Sequence, residues 1–397
     1  MCIRDRPCIV ENLPNISDVA TILKTMQALG ANIKALNKSA VEIDPRHVNS
    51  FVVSKKMAEG MRASSYFLGA LLGRLGRARV APPGGCDFGV RPIDQHIKGF
   101  EALGAKMSIE NGMVDARAQK LSGCSIYLDV VSVGATINIM LAAVKAAGLT
   151  VIENAAREPH IVDLANFLNS MGADIMGAGT SVIKIRGVRH LHGTSYSIIP
   201  DQIEAGTYMA AAAAAGGDVL ITNVTPKHLE SIIAKLQETG AKITEYDEAV
   251  RVQMNRRPHK CNIKTMPHPG FPTDMQPQIA VLLSIADGTS IITEGVWDSR
   301  FRYVDQLTLM GADIQVDGKM AVITGVKSLH SAPVKAVDLR AGAAMIIAGL
   351  AADGITEIEE IDHIDRGYED VVEKLTKIGA DIKRVTVTDG TQLLKQA

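Results

Sequence analysis

Residues 162–175 read Val-Asp-Leu-Ala-Asn-Phe-Leu-Asn-Ser-Met-Gly-Ala-Asp-Ile and combine a helical pattern with a distinctive ending. Apolar residues recur at three- and four-residue spacing, which predicts an amphipathic helix with one buried face. Gly172 follows this pattern directly, where a glycine can adopt the left-handed conformation that ends a helix. The segment therefore predicts an outer helix that ends at a glycine and is followed by a short strand.

This ending is a signature that occurs six times: an apolar residue, Gly-Ala, a variable residue and another apolar residue. The copies begin at Leu29, Leu103, Met171, Thr239, Met310 and Ile378, and only Thr239 departs from the leading apolar position. Their glycines, from Gly30 to Gly379, are separated by 74, 68, 68, 71 and 68 residues. A nearly constant period predicts repeated structural units. After the last copy, a strand is expected over residues 381–387.

A second, almost wholly apolar helix precedes each of the last five signatures. These helices end near Gly76, Gly148, Gly217, Gly288 and Gly354. The equivalent helix of the first unit would end between residues 2 and 7, so we expect an N-terminally truncated chain with residues 1–6 as an unrelated stub. Six units predict an α/β protein with buried apolar helices and amphipathic helices outside. We expect two domains of three units, 7–199 and 200–397, with a ligand cleft between them, or alternatively an open solenoid.

Composition restricts the partners. The 397 residues include 42 Lys+Arg and 43 Asp+Glu, and only 4% are aromatic. A near-neutral chain lacks the basic surface expected for nucleic-acid or membrane-surface partners. The longest apolar stretches, Met209–Ala215 and Ala341–Ala351, are shorter than the roughly 20 residues that cross a bilayer. Five scattered cysteines without a C-x-x-C pair predict reduced thiols in the cytoplasm and no metal site.

The densest cluster of chemically capable residues runs from Arg79 to His96. Its Pro-Pro-Gly-Gly sequence predicts a surface loop, and this loop carries Cys86 between Arg79 and Arg91. Flanking cations and solvent access favour the thiolate and hence reactivity. The alternative is an incidental thiol on a loop.

Five arginines stand beside glycine, proline or helix-capping residues: Arg62, Arg91, Arg300, Arg340 and Arg366. Arg340 and Arg366 are expected where helices begin, and arginine forks near helix N-termini suit phosphate and carboxylate groups. The alternative for each arginine is a solvated surface charge or a salt-bridge partner.

Asp274 and the segment Ser132–Thr136 are also expected where apolar helices begin. Either could serve as an ordinary N-cap, and the segment could alternatively hold a diphosphate with its backbone amides.

Five ordered motifs carry a family resemblance. They are Pro83-Gly-Gly-Cys86 continuing through Arg-Pro-x-Asp-x-His96, Ser132-Val-Gly-Ala-Thr136, His268-Pro-x-Phe-Pro-Thr-Asp274-Met-Gln276, Asp338-Leu-Arg-Ala341 and His363-Ile-Asp-Arg-Gly-Tyr368. Together they resemble the UDP-N-acetylglucosamine enolpyruvyl transferases (1-carboxyvinyltransferases) of peptidoglycan synthesis. The resemblance implies a two-domain inside-out α/β barrel of six repeated units, here with the first unit incomplete.

The resemblance also implies a reaction: the enolpyruvyl group of phosphoenolpyruvate moves to the 3′-hydroxyl of UDP-N-acetylglucosamine, and phosphate is released. By that pattern Cys86 is the proton donor and can form an adduct with phosphoenolpyruvate, Asp274 is the base, and the Cys86 loop closes as a lid. Arg91, Arg300, Arg340 and Arg366 would hold phosphate and carboxylate groups or clamp the closed cleft, with Arg366 among the catalytic residues. The nucleotide-sugar site would comprise Arg62, Arg91, Pro92, Ile93, Asp94, Gln95, Val130, Val131, Ser132, Val133, Gly134, Asp274 and Val296. No cofactor or metal is implied.

Two departures from the family pattern matter. The Gly-Ala-Lys-Asn-Ala segment falls in the missing first apolar helix, so we expect impaired use of phosphoenolpyruvate. Ser299 stands where the family usually has asparagine before the arginine. The alternatives are a catalytically silent nucleotide-sugar binder, a repeat scaffold, or a 3-phosphoshikimate 1-carboxyvinyltransferase, which lacks the cysteine lid.

Overall fold

The computed structural model describes residues 6–58, 61–82 and 93–385, except the side chain of Arg62. The α-helices of these ranges are α1 Ser17–Ala28, α2 Lys55–Ala58, α3 Tyr66–Leu75, α4 Asp94–Ala102, α5 Val133–Ala143, α6 Pro159–Ser170, α7 Gln202–Ala215, α8 Glu230–Glu238, α9 Gln276–Ser284, α10 Val304–Leu309, α11 Leu339–Ala351, α12 Asp362–Asp365 and α13 Val371–Lys377. Short 3-10 turns cover Arg62–Ser65, Pro226–Leu229, Thr273–Met275 and Arg300–Tyr303.

The strands in the same ranges are short. They are β1 Cys8–Glu11, β2 Asn32–Asn37, β3 Ala40–Asp44, β4 Val52–Val53, β5 Arg77–Val80, β6 Lys106–Glu110, β7 Met113–Arg117, β8 Ser125–Tyr127, β9 Leu149–Glu153, β10 Asp174–Met176, β11 Val182–Arg186, β12 Ser195–Ser197, β13 Asp218–Thr222, β14 Lys242–Glu245, β15 Ala249–Gln253, β16 Ile263–Lys264, β17 Thr289–Thr293, β18 Asp313–Asp317, β19 Met320–Thr324, β20 Leu329–His330, β21 Pro333–Lys335, β22 Ala352–Asp353 and β23 Glu357–Glu359.

The sheets repeat one pattern along the chain. In the first, second, third and fifth units three antiparallel strands, such as β9, β11 and β10, are joined in parallel by a fourth strand, such as β8. Among the described residues, the fourth unit has the three antiparallel strands β13, β15 and β14, and the last unit has two parallel pairs, β20 with β22 and β21 with β23. The sheet of the first unit is joined by β12, which pairs in parallel with β1. This pairing brings residue 195 beside residue 9 and links the third unit back to the first.

The predicted layering of the helices is confirmed. Every residue of α9 is buried, and the apolar helix α5 is buried along most of its length, as a helix that is hydrophobic on all sides requires. By contrast, α8 buries only Ile232, Ile233 and Leu236 along one face. One hydrophobic core gathers buried residues between Cys8 and Leu191, and another gathers those between Ile203 and Ala348.

The signature glycines end the outer helices, as the repeat predicts. In the third copy the Gly172 amide donates to the Asn169 carbonyl at 2.9 Å, and the Ala173 amide donates to the Leu168 carbonyl at 3.0 Å. This paired arrangement is a Schellman motif. All six signature glycines have positive φ between 87° and 105°: Gly30, Gly104, Gly172, Gly240, Gly311 and Gly379.

Two local expectations need correction. The left-handed residue after α7 is Gly216, with φ of 73°, rather than Gly217, whose amide donates to the Ala212 carbonyl at 2.8 Å. No strand forms over residues 381–385, and the remainder of that expected strand lies outside the described residues. Among the helices of the described ranges, none is long and apolar enough to span a membrane.

Candidate functional site

Asp274 lies in the single turn Thr273–Met275, which leads directly into the buried helix α9. Of the two alternatives, the N-cap is not what the structure shows, because the N-cap of α9 is Met275, without a side-chain cap, and the Asp274 carboxylate contacts two arginines. Asp274 Oδ1 accepts a hydrogen bond from Arg300 Nη2 at 3.1 Å. Its Oδ2 accepts one from Arg340 Nε at 3.2 Å. The carboxylate is thus held between two guanidinium groups.

The two arginines come from different elements. Arg300 opens the turn Arg300–Tyr303, and only 2% of it is exposed. Arg340 is the second residue of α11, whose N-cap Asp338 accepts hydrogen bonds from the backbone amides of Arg340 and Ala341. A buried guanidinium needs a charged partner, and Asp274 supplies one. Two guanidinium groups around one carboxylate carry a net positive charge, so together they are suited to bind a further anion.

Arg340 has a second set of contacts away from Asp274. Its Nη1 donates to the hydroxyl of Tyr368 at 3.2 Å, and its guanidinium carbon lies 5.7 Å from the centre of that ring. Burial opposes the charge, but Tyr368, Asp274 and Asp201 outweigh it and raise the pKa of Arg340. The guanidinium is therefore positively charged throughout the physiological pH range.

Glu294 is a buried carboxylate that connects two parts of the expected site. Its Oε2 accepts from the Thr273 hydroxyl at 3.0 Å, next to Asp274. Its Oε1 accepts from the backbone amides of Val296 at 2.8 Å and Trp297 at 3.0 Å. Glu294 thereby ties the segment that carries Asp274 to the turn that carries Val296.

Arg366 forms an ion pair between distant parts of the chain. Its Nε and Nη2 donate to the two carboxylate oxygens of Asp18, at 3.0 and 3.2 Å. Close by, the backbone amide of Asn15 donates to Glu369 Oε1 at 2.7 Å. The expectation that Arg366 opens an amphipathic helix is wrong, because it follows the one-turn helix α12 and α13 begins only at Val371. Arg366 instead joins the beginning of α1 to the last unit.

The residues expected to hold a nucleotide sugar also come together in the second and third units. Gln95 in α4 donates to Asp129 at 3.1 Å, and the Asp129 amide donates back to Gln95 at 2.9 Å. Gln95 also donates to Asp94 at 2.9 Å, and Lys98 pairs with Asp129 at 2.7 Å. This exchange places Ile93, Asp94 and Gln95 beside the segment Val130–Gly134.

Ser132 is the N-cap of α5, since its hydroxyl accepts from the Ala135 amide at 3.3 Å. The imidazole of buried His96 lies against the same helix start, where a Cβ added at Gly134 would be 2.9 Å from its Nε2. Burial lowers the pKa of His96 to about 4, although Asp94 partly opposes this. At neutral pH His96 is therefore an uncharged group packed against this helix N-terminus.

The other expected residues differ in how they are placed. Val130 and Val296 are 59% and 40% exposed, so both side chains are accessible to a ligand. Cys86, Arg91, Pro92 and the Arg62 side chain lie outside the described residues. A surface depression of about 490 Å³ lies between α8 and the strands β16 and β17, and no expected site residue lines it.

Sequence reasoning missed two residues that connect parts of this site, Glu294 and Asp18. Tyr368 stands in a quoted motif but received no role. A signal existed for Glu294, which is an acidic residue in the apolar sequence Ile-Ile-Thr-Glu-Gly-Val, where a buried carboxylate would need partners. No comparable local signal marks Asp18.

Comparison with known proteins gives concordant matches. Residues 3–375 match the EPSP synthase family (3-phosphoshikimate 1-carboxyvinyltransferase). The chain is 57% identical to UDP-N-acetylglucosamine 1-carboxyvinyltransferase 3 of Caldanaerobacter subterraneus, over 96% of this chain and 91% of that protein. It is also 57% identical to UDP-N-acetylglucosamine 1-carboxyvinyltransferase 2 of Clostridium acetobutylicum, over 95% of this chain and 90% of that protein.

Solved structures confirm the predicted fold class. The enolpyruvyl transferase NikO from Streptomyces tendae superposes with a TM-score of 0.86 at 27% identity, covering 96% of this chain and 91% of NikO. The EPSP synthase from Acinetobacter baumannii superposes with a TM-score of 0.74 at 20% identity, covering 95% of this chain and 91% of its own. The second likeness concerns the fold alone.

Proposed function

The chain belongs to the enolpyruvyl transferases of the EPSP synthase family, and from this membership we propose that it transfers the enolpyruvyl group of phosphoenolpyruvate to the 3′-hydroxyl of UDP-N-acetylglucosamine, releasing phosphate. This reaction serves peptidoglycan synthesis. Shikimate 3-phosphate is not favoured as the acceptor, because identity to the solved EPSP synthase is 20% against 57% to the nucleotide-sugar enzymes. Cytoplasmic location remains a prediction from the cysteine pattern.

The observation that carries the proposal is the group formed by Asp274, Arg300 and Arg340. Transfer needs a base that takes the proton of the sugar hydroxyl while its oxygen attacks the substituted vinyl carbon. Asp274 is a carboxylate on a rigid turn before a buried helix, so its position is well defined. The arginines on either side bring positive charge to the place where the phosphate and carboxylate of phosphoenolpyruvate would lie.

Proton donation completes the addition step. Cys86 would donate a proton to the methylene carbon of phosphoenolpyruvate, as the family resemblance implies, and its loop would close over bound sugar. The tetrahedral intermediate then loses phosphate together with a proton from the new methyl group, which restores the double bond. Arg91 and Arg366 would help to hold the departing phosphate, and charged forks of this kind stabilise developing negative charge.

The nucleotide sugar would bind along the start of α5. The Gln95–Asp129 exchange joins the start of α4 to the residue before Val130, and Ser132 is the N-cap of a helix of 11 residues. Free amides at a helix N-terminus attract a diphosphate. Val296, Arg62, Arg91 and Pro92 would complete this site.

We also propose two domains, 7–199 and 200–397, with the reaction in the cleft between them. The pairing of β12 with β1 and the two separate large hydrophobic cores support this division. Arg366 with Asp18, and the His268 amide with Glu158 at 3.4 Å, are contacts that cross it.

Calorimetric titration of the whole chain with UDP-N-acetylglucosamine, and with shikimate 3-phosphate as control, tests the acceptor. Phosphate release from phosphoenolpyruvate then tests transfer, in the presence and absence of the sugar. We expect binding of the nucleotide sugar alone and phosphate release only when it is present. Sugar binding without any phosphate release would indicate a silent binder, and a folded protein that binds neither acceptor would indicate a scaffold.

A further inference from the structure

A chain of hydrogen bonds runs from Arg340 into the apolar interior. Arg340 Nη1 donates to the Tyr368 hydroxyl at 3.2 Å, and this hydroxyl lies 3.0 Å from the Thr207 hydroxyl. Thr207 donates to the Ile203 carbonyl at 2.8 Å and accepts from Gln278 Nε2 at 3.1 Å. This hydrogen-bond chain therefore connects α7, α9, α11 and the segment between α12 and α13.

The Ile203 carbonyl, the last group of this hydrogen-bond chain, determines which hydroxyl donates to which. A carbonyl oxygen can only accept, so the single hydrogen of the Thr207 hydroxyl points to Ile203. Tyr368 must then donate its hydrogen to Thr207, and its oxygen is free to accept from Arg340. With Thr207 donating to Ile203, the Tyr368 hydroxyl is thus both a donor to Thr207 and an acceptor from Arg340.

Burial makes this arrangement rigid. Thr207, Gln278 and Tyr368 are all buried, and the hydrophobic clusters in this part of the molecule consist mostly of Ala, Ile, Leu, Val and Met. A polar group in such surroundings is destabilising unless it is hydrogen-bonded, so the Thr207 and Tyr368 hydroxyls favour the positions in which both are paired, although Gln278 Oε1 has no hydrogen-bond partner among the described residues. The Tyr368 hydroxyl therefore has a strong preference for the position that the Thr207 hydroxyl and Arg340 define.

We propose that Tyr368 is a positioning residue: it orients the Arg340 guanidinium toward Asp274 and toward the phosphate that Arg340 binds. The hydroxyl holds Nη1, which leaves the opposite edge, Nε and Nη2, facing Asp274 Oδ2 at 3.2 Å each. Without the hydroxyl, rotation of the Arg340 side chain would no longer be restricted on that side. This inference rests on the proposed function, because it deepens the role of Arg340 in binding phosphate.

The variant Tyr368→Phe removes only the hydroxyl, and Tyr208→Phe is a matched control. Tyr208 packs against the same small hydrophobic cluster as Tyr368, and among the described residues its buried hydroxyl has no hydrogen-bond partner. Three measurements are made on each protein: the unfolding temperature, the affinity for UDP-N-acetylglucosamine, and the affinity of the sugar-saturated protein for inorganic phosphate. Turnover with phosphoenolpyruvate gives kcat and KM in addition.

Tyr368→Phe should weaken phosphate binding and lower kcat/KM for phosphoenolpyruvate by about tenfold to a hundredfold, the effect of losing one hydrogen bond to a charged group. UDP-N-acetylglucosamine affinity should stay within about twofold of wild type, and Tyr208→Phe should match wild type throughout. Equal phosphate affinity in the two variants would overturn the proposal. So would a loss of phosphate and sugar affinity in the same proportion, which indicates a general structural role.

A second pair of variants covers the case in which Tyr368→Phe does not fold. Thr207→Ser keeps the hydroxyl that accepts from Tyr368, whereas Thr207→Val removes it with little change of volume. We expect Thr207→Ser to retain phosphate affinity and Thr207→Val to lose part of it; equal affinities would contradict the proposal. If the wild type itself binds no nucleotide sugar, the proposed function fails, and that result is distinct from a failure of this inference alone.

Discussion

Replacing Asp274 with asparagine separates the charge of this residue from its shape. In the wild type the carboxylate accepts from Arg300 on one oxygen and from Arg340 on the other. An asparagine has one oxygen and one NH₂ group, so one arginine would face a donor instead of an acceptor. The two guanidinium groups would also lose the negative charge between them. We therefore expect Asp274→Asn to lower both stability and activity.

The burial of the three side chains sets the size of the effect. Exposure is 1% for the Arg300 side chain, 13% for Arg340 and 29% for Asp274. Breaking a fully buried ion pair costs about 3–5 kcal/mol, and the partial exposure of Asp274 reduces this to about 2–4 kcal/mol. For a domain of roughly 200 residues this corresponds to a fall in Tm of about 5–12 °C. Loss of a general base should in addition lower kcat by about 10²–10⁴.

The assay is thermal unfolding without substrates, with Asp218→Asn as a matched control. Asp218 also binds an arginine, Arg251, through two hydrogen bonds, but both side chains are nearly half exposed. Exposed ion pairs contribute little, so this control should change Tm by less than about 2 °C. Inorganic phosphate should stabilise Asp274→Asn more than wild type, since an anion can replace the lost carboxylate. Equal Tm changes in the two variants would refute the reasoning.

Three other predictions follow from buried contacts. Burial lowers the pKa of His96 to about 4, against 6.5 when unfolded, so its contribution to stability is complete above pH 6.5 and is lost as pH falls toward 4. Over that range the unfolding free energy should decrease by about 3 kcal/mol more in wild type than in His96→Gln, whereas His190→Gln, at an exposed position, should follow wild type. Glu294→Ala should raise KM for the nucleotide sugar about tenfold, because two loop amides and a hydroxyl lose their acceptor. Glu294→Gln can keep all three hydrogen bonds, so its KM should stay within about threefold of the wild-type value, and similar KM values for both variants would argue against this role. Gly187→Ala should lower Tm by about 5 °C or more, since its Cβ would overlap the Ala146 carbonyl oxygen, and an unchanged Tm in calorimetry would contradict that packing.

Much of the fold follows from local sequence. The six signatures predicted where the outer helices end, and all six glycines have the expected left-handed backbone. Helical periodicity also predicted which helices are buried and which are amphipathic. The strand expected over 381–387 was wrong in its described part, because local apolar residues do not create a strand without a neighbouring strand that can pair with them.

The candidate site was predicted only in part. Asp274 and Arg340 could be named from their motifs and Arg300 from its neighbouring residues, but their mutual contact could not be predicted, since Arg300 and Arg340 lie 26 and 66 positions from Asp274. Glu294 was missed for the same reason, as its partners lie on two separate segments. The motif that contains Tyr368 was visible without any indication that its hydroxyl contacts Thr207.

The sequence by itself determined the repeated units, their helix ends and the alternation of buried and amphipathic helices, because each depends on residues within a few positions of one another. Only the tertiary structure decided which charges are partners. Arg366 meets Asp18 across 348 positions, and Tyr368 meets Thr207 across 161. Such hydrogen bonds have no local signature, because they form only when the apolar helices pack and exclude water from the groups between them.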